Sequence, residues 1–318
     1  MPEPVPVPTN ANRFKGLKLL LKVLVSLLLL GLLSRVIDPR QTLQVIKQAD
    51  LGLLAMAVGV FLAGQVLNAV KWAWLGRALK LPFGMWTYLR VYFMGLFLTL
   101  FLPGSVGGDA GRAVLLGREA REEGWAIAYT VLADRYSGLM FLLVLSSLAC
   151  VQVEAYRWVL GPWLWGLTVL VAVAWLVLGV MSGWFSGAPG RLGSAARQVH
   201  QWEERLRGRT SLARVGVSTL VVQCLNWSVL LLLAAAIELN VSASGLLTAY
   251  GLVTLASLIP LSLNGLGIRE GGYVLLLGLL GVDGSQALGF GVLWFAVFTS
   301  VGLLSGLAWW VKGDLKAG

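Results

Sequence analysis

The run 158–182 passes without a single Asp, Glu, Lys or Arg, and further long apolar runs fall at about 16–37, 51–76, 124–152, 212–238 and 285–311. Each is about 20 residues or longer, the length an α-helix needs to cross the hydrocarbon of a bilayer. Only helices and closed barrels satisfy their own backbone there. A barrel would read as short alternating segments rather than unbroken runs. Charged residues make up 13% of the 318, against about 25% in soluble domains, and mean hydropathy is +0.80. Most of the surface is therefore expected to face lipid. The expected class is an all-α, multi-pass integral membrane protein with about six full spans. A Pro-rich, disordered start (1–15) and a short tail (313–318) flank it. The first run holds Lys18 and Lys22 with no small-residue cleavage site after it, and it reads as a retained span.

Two apolar runs are shorter and broken. Residues 86–102 stop at Pro103, a Gly/Ser turn follows, and a short charged helix runs to about 122. Residues 243–259 stop at Pro260, residues 262–267 break the chain, and a second short helix covers 268–282. The breaks repeat: Pro103-x-Ser105-x-x-Gly108-x-x-x-Arg112 returns as Pro260-x-Ser262-x-x-Gly265-x-x-x-Arg269. In the preceding helix Gln65-Val66-Leu67-Asn68 returns as Gln223-Cys224-Leu225-Asn226. The order and spacing point to an internal duplication, with a first repeat over 16–155 and a second over 156–312.

Positive charge sets the orientation. Arg13, Lys15, Arg77, Lys80, Arg90, the arginines at 191–214, Lys312 and Lys316 all fall on one side only if each broken segment returns to the side it left. The two segments, 86–122 and 243–282, then read as re-entrant hairpins, or as closely paired helices with the same net effect. Both termini lie inside, and three crossings between the hairpins invert the second repeat relative to the first. Paired Gly/Pro breaks in such a repeat point to a central binding site.

The net charge of +10 reports orientation and contact with anionic lipid, not nucleic acid. In the linker 183–211, Leu192, Ala195, Ala196, Val199, Trp202 and Leu206 fall near one helical face, which suggests an amphipathic helix on the anionic inner leaflet (191–214). A solvated basic loop is the alternative. Cys150, Cys224 and His200 form no metal pattern, and no metal or cofactor is expected. There is no phosphate-loop motif for nucleotide hydrolysis. Most tryptophans, Trp72, Trp74, Trp309 and Trp310 among them, read as interfacial anchors.

The half-helices after the breaks offer free N–H groups and a positive dipole end. With Arg112 and Arg269 on them, two tips would form a cationic pocket suited to a phosphate or carboxylate head group. Ser105, Ser262, Asn264, Gly108, Gly265 and Arg135 join them as candidate binding residues. The structural alternatives are pairing of Arg112 with Asp109, and of Arg269 with Glu270. Asp134, beside Arg135 inside a span, is a functional candidate by its position, as a proton carrier or as a structural ion pair. Glu270 and Asp109 carry the same pair of readings. Gln65 with Asn68, and Gln223 with Asn226, lie on one helix face each, as interhelical hydrogen-bond donors or as substrate contacts.

The stretch Leu102–Arg112, Ala133-Asp134-Arg135, Lys71-Trp72 and Leu263-Asn264-Gly265-Leu266-Gly267-Ile268-Arg269-Glu270 resemble the lysylphosphatidylglycerol synthase transmembrane family, whose members are also described as flippase-like. The resemblance covers about 15–312. It implies movement of a lipid between leaflets by alternating access, without an obligatory nucleotide motor. The lipid would be an anionic or phosphate-bearing one: a phospholipid, an aminoacyl-phospholipid or a polyprenyl-phosphate carrier. In bifunctional members a soluble synthase domain follows the membrane domain. Seven residues follow the last span here, so the expectation is a membrane domain without aminoacyl transfer, seated in the cell membrane and not an enzyme. An intramembrane enzyme acting on a lipid head group and a non-transporting scaffold subunit are the competing readings.

Overall fold

The computed structural model describes residues 37–102, 107–118, 123–259 and 265–310, together with 24–26, 28, 31–33 and 35. Among these every regular element is helical. Pro103, Ser105, Pro260, Ser262 and Asn264, the segments 1–15 and 313–318, and much of the first span lie outside the described residues.

The helices are α1 (Pro39–Gln48), α2 (Leu51–Ala78), α3 (Met85–Phe101), α4 (Gly107–Gly117), α5 (Gly124–Val151), α6 (Glu154–Arg157), α7 (Gly161–Phe185), α8 (Gly190–Leu206), α9 (Arg209–Ala236), α10 (Ala243–Leu258), α11 (Ile268–Gly278) and α12 (Gly284–Leu304), with a 3₁₀ turn at Ser305–Trp309. Among the described residues five helices are long and apolar enough to cross a membrane: Leu51–Ala78, Gly124–Val151, Gly161–Phe185, Ser211–Ala236 and Gly284–Trp309. They coincide with the expected spans after the first. The amphipathic α1 is an addition to the sequence reading. Its Asp38 cap, accepting from the Arg40 N–H at 2.8 Å, and Pro39 at the first turn are the signals that place its start.

Helix ends meet at two opposite ends of the bundle. At one, Asp50 N–H donates to Ala236 O at 2.9 Å, and Ser285 Oγ donates to Gln41 Oε1 at 3.2 Å. At the other, Arg205 Nη1 donates to Leu79 O at 3.3 Å, and Arg90 Nε to Ala308 O at 3.4 Å. Thus α2 and α9, which pack most extensively, run antiparallel, with Gly64 against Leu225 where they cross. Arg77, Arg90, Arg205 and Arg207 gather at one end; Asp38, Asp50 and Asp283 cap helices at the other.

The two broken segments fold as expected into helix pairs, α3 against α4 and α10 against α11. Their closeness has a common cause. A Cβ on Gly108 would stand 1.8 Å from Thr99 Oγ1 and 2.5 Å from Gly95 O. A Cβ on Gly265 would stand 2.9 Å from Ser257 Oγ, and its φ of +77° is itself a conformation suited to glycine. Thr99 donates back to Gly95 O at 3.0 Å and Ser257 back to Val253 O at 2.8 Å, so each hydroxyl serves its own helix while the glycine lies against it. The partners also correspond: α4 packs on α5 as α11 packs on α12, and α2 on α3 as α9 on α10.

The linker forms the helix α8, and its apolar face turns toward protein rather than lipid. Val199, Trp202 and Leu206 pack with Trp175 against the core cluster around Trp72 and Ile127. Ala195 is exposed, and the Leu192 side chain lies outside the described residues. Trp72 also departs from the anchor reading, being fully buried, whereas Trp310 is exposed.

Gly108→Ala is expected to destabilise the fold by about 1–3 kcal/mol through overpacking against backbone. Gly117→Ala, where a Cβ meets nothing within 4 Å, should be neutral or mildly stabilising. Unfolding midpoints of both variants in detergent micelles check this.

Candidate functional site

Five ionised side chains join α2, α4 and α5. Lys71 Nζ lies 3.0 Å from Asp134 Oδ1, and Arg112 Nη2 lies 2.8 Å from Asp134 Oδ2. The same Arg112 nitrogen is 3.1 Å from Asp109 Oδ1, which also accepts from Arg135 Nη2 at 2.8 Å. The chain of charge therefore alternates Lys71, Asp134, Arg112, Asp109, Arg135. Lys71, Asp134, Arg112 and Asp109 are buried, while the Arg135 side chain is 57% exposed. Helix geometry explains the assembly. Asp109 and Arg112 are one turn apart on α4, and their face meets Asp134 and Arg135 on α5.

Aromatic rings seal one side. The Arg112 guanidinium lies 4.9 Å from the Trp72 ring centroid and 5.3 Å from that of Tyr92, a cation–π arrangement that suits a desolvated cation. Its Nε and Nη1 are buried without a hydrogen-bond partner among the described residues. Trp72 Nε1 donates to Thr130 at 3.0 Å, and Tyr92 donates to Gln65 Oε1 at 2.9 Å. Lys71 also donates to Ser137 Oγ at 3.4 Å.

The other side opens on a cavity of about 530 Å³ between α2, α3, α5, α7, α9 and α10. Lys71, Asp134 and Arg135 form its charged wall. Asn68, Gln223 and Asn226 form a neutral polar wall, and apolar residues complete it. Gln223 donates to Gly138 O at 2.8 Å, and Asn226 Oδ1 is buried without a partner among the described residues. Leu132, Leu178 and Leu258 line the cavity and are also exposed on the outer surface, so the rim is apolar.

The structure thus brings Arg135, Asp134, Asn68, Gln223 and Asn226 to one cavity, with Gln65 behind through Tyr92. Arg112 and Asp109 lie in the ion chain behind the wall. Neither Arg112 nor Arg269 lines this cavity. Arg269 is buried in the second hairpin, where its Nη2 and Nε donate to Glu270 Oε1 at 3.0 and 3.2 Å, beneath the Phe295 ring. Glu270 Oε2 accepts from Gly267 N at 2.6 Å, closing a helix cap. Arg269 and Glu270 thus satisfy each other, the structural alternative. Gly108 and Gly265 serve the hairpin contacts and do not line the cavity. Among the described residues no three His, Cys, Asp or Glu come close enough together to hold a metal ion. Lys71 and Trp72, which carry part of the family resemblance, belong to the site as well. A lysine in an apolar run is itself the signal.

A helical membrane protein with a charged and polar cavity wall behind an apolar rim is the class this fold defines. The profile of the lysylphosphatidylglycerol synthase TM region matches residues 19–306, nearly the whole chain. The chain belongs to that family, which ties it to membrane lipids. A search of the curated proteins and one of the solved structures found no significant match.

Asp134→Asn leaves Lys71 and Arg112 buried without their shared carboxylate and should cost about 3–5 kcal/mol. Lys71→Met combined with Asp134→Asn should cost less than the sum of the two single changes. A double-mutant cycle on thermal unfolding measures the coupling.

Proposed function

We propose that this protein moves an anionic, phosphate-bearing lipid between leaflets, with the head group docking on the cavity wall at Lys71 and Arg135. The observation that carries the reading is the charge count: three cations face two carboxylates in the ion chain among the described residues. An uncompensated charge at membrane depth costs several kcal/mol, and a head-group phosphate would offset it. Arg135 is the group best placed to do so, because its side chain is half-exposed and its guanidinium carries more donors than the Asp109 carboxylate takes up. Asn68, Gln223 and Asn226 supply neutral hydrogen bonds to the rest of the head group. The apolar rim favours a lipid over a water-soluble anion, because its tails remain in the bilayer while the head group crosses.

Alternating access follows from the same reading. The hairpins start from opposite ends of the bundle, and the helix partners of one half recur in the other. Together with the repeated motifs, this supports an inverted repeat with re-entrant hairpins whose relative rocking exposes the cavity to each side in turn. The basic end then faces the cytoplasm of a cell membrane, and the exposed charges of α8 and the start of α9 meet anionic lipid there. No chemical step on the lipid is part of this function.

Proteoliposomes carrying fluorescent lipids of defined head group, quenched from outside, test this. Wild type should speed the transfer of at least one anionic lipid. Arg135→Gln should slow it by about tenfold, the loss of one charge-assisted contact of about 1.5 kcal/mol. If no anionic lipid in a broad panel moves faster than in protein-free vesicles, the reading fails.

A further inference from the structure

A second cavity, of about 370 Å³, lies beside the first, between α2, α5, α7, α8 and α9. Tyr136 of α5 and Trp175 of α7 line both. Their rings stack at 4.0 Å between centroids and 17° between planes, forming a divider between the two spaces.

The second cavity has two unlike ends. Glu203, Arg207 and Ser211 form a polar rim where α8 turns into α9. Below it, Met140 and Phe141 of α5 and Leu212 and Val215 of α9 form an apolar slot. Leu212 is exposed on the outer surface as well, so the slot opens sideways. Ser137 also lines it. That hydroxyl accepts from Lys71 and donates to Asp134 O at 2.9 Å, so the slot reaches the back of the ion chain whose front forms the first cavity.

The rim is a built feature. Glu203 is buried, accepting from Tyr129 at 3.0 Å and from Arg207 Nη2 at 2.9 Å. This fixes α8 against α5 and leaves the Arg207 side chain 56% exposed at the mouth. A cation at the end of a spanning helix, above an apolar slot open to the side, has the polarity profile of a phospholipid in its own leaflet.

We propose that this second cavity is a lipid-loading site, which takes one acyl chain of an anionic phospholipid into the slot with the phosphate at Arg207. It deepens the translocation reading, since a lipid held here lies one ring pair away from the head-group wall. The chain is the occupant of choice because the slot is apolar, opens laterally and is separated from the adjoining cavity only by the shared Tyr136–Trp175 ring pair.

The test uses the full chain in vesicles containing an anionic phospholipid with a photoactivatable, clickable acyl chain. Cross-linked peptides are mapped by mass spectrometry. Wild type should be labelled at 137–141 and 211–216. A Cβ on Gly216 meets only Phe141, at 3.9 Å, so Gly216→Trp can fill the slot. It should cut that labelling by about fivefold or more, a loss of about 1 kcal/mol of chain contact, while labelling of the exposed α7 surface stays constant. Gly216→Leu provides a milder fill should the larger variant fail to fold. Labelling at these positions that survives both fills comes from bulk lipid and overturns the proposal. Labelling confined to the first cavity overturns it too, and leaves the translocation reading standing. Slot labelling that the fills abolish, in a protein that moves no lipid, supports the site and sinks translocation.

Discussion

The ion chain from Lys71 to Arg135 is the interaction the rest of the structure depends on. Bringing five ionised groups into an apolar bundle costs several kcal/mol per ion, and the cost is offset only if every charge finds an opposite partner at contact distance. Asp134 does so by pairing with Lys71 from α2 and accepting from Arg112 of α4 at once. Three helices must therefore hold one mutual register. The side chains around the chain serve that register: Trp72 is fixed by Thr130, and its ring covers the guanidinium that Asp134 holds. The charges thus specify how the helices meet, in a medium where apolar contact between helices carries little preference of its own.

That register requires α4 to lie close against α3, and the glycine at 108 allows it. With a side chain there, backbone of α3 would be displaced and Asp109 and Arg112 would be carried away from α5. The same small residue that permits the hairpin therefore positions the ion chain. In the second hairpin Gly265 meets Ser257 in the corresponding way, but Arg269 finds its carboxylate on the adjacent residue of its own helix. The second hairpin needs no charge partner from α12, and where α12 approaches Glu270 it presents Gly291.

Much of this was legible in the sequence for identifiable reasons. Span positions follow from the length of apolar runs, and the two helix pairs from Pro103 and Pro260. The equivalence of Gln65–Asn68 with Gln223–Asn226 was readable as a repeat, and three of those four residues line the cavity. Which charges would meet was not readable. Arg112 and Arg269 are equivalent in sequence, yet their environments differ because Glu270 adjoins one and Asp134, on another helix, reaches the other. Trp72 was misplaced because tryptophan composition speaks for interfaces in general, while its indole N–H here has a buried partner in Thr130. For α8, periodicity identified the apolar face but not what it packs on, since protein and lipid are equally apolar to such a pattern.

The two halves of the chain thus differ in electrostatics while their helix pairs pack alike. One half closes its arginine locally and presents a neutral hairpin. The other spreads its arginine's charge through a chain with one cation more than its carboxylates, and both ends of that chain, the buried Lys71 and the half-exposed Arg135, line a cavity. On the proposed reading a head group would gain its charge contacts from a single half. Rocking of the halves would then change which side the cavity opens toward without breaking the ion pairs that hold α2, α4 and α5 together, because all five members belong to the same half. A moving interface in hydrocarbon is least costly where no charge must be separated, and the boundary between the halves at α2 and α9 meets that condition, with Gly64 on Leu225 at its crossing and neutral amides alongside.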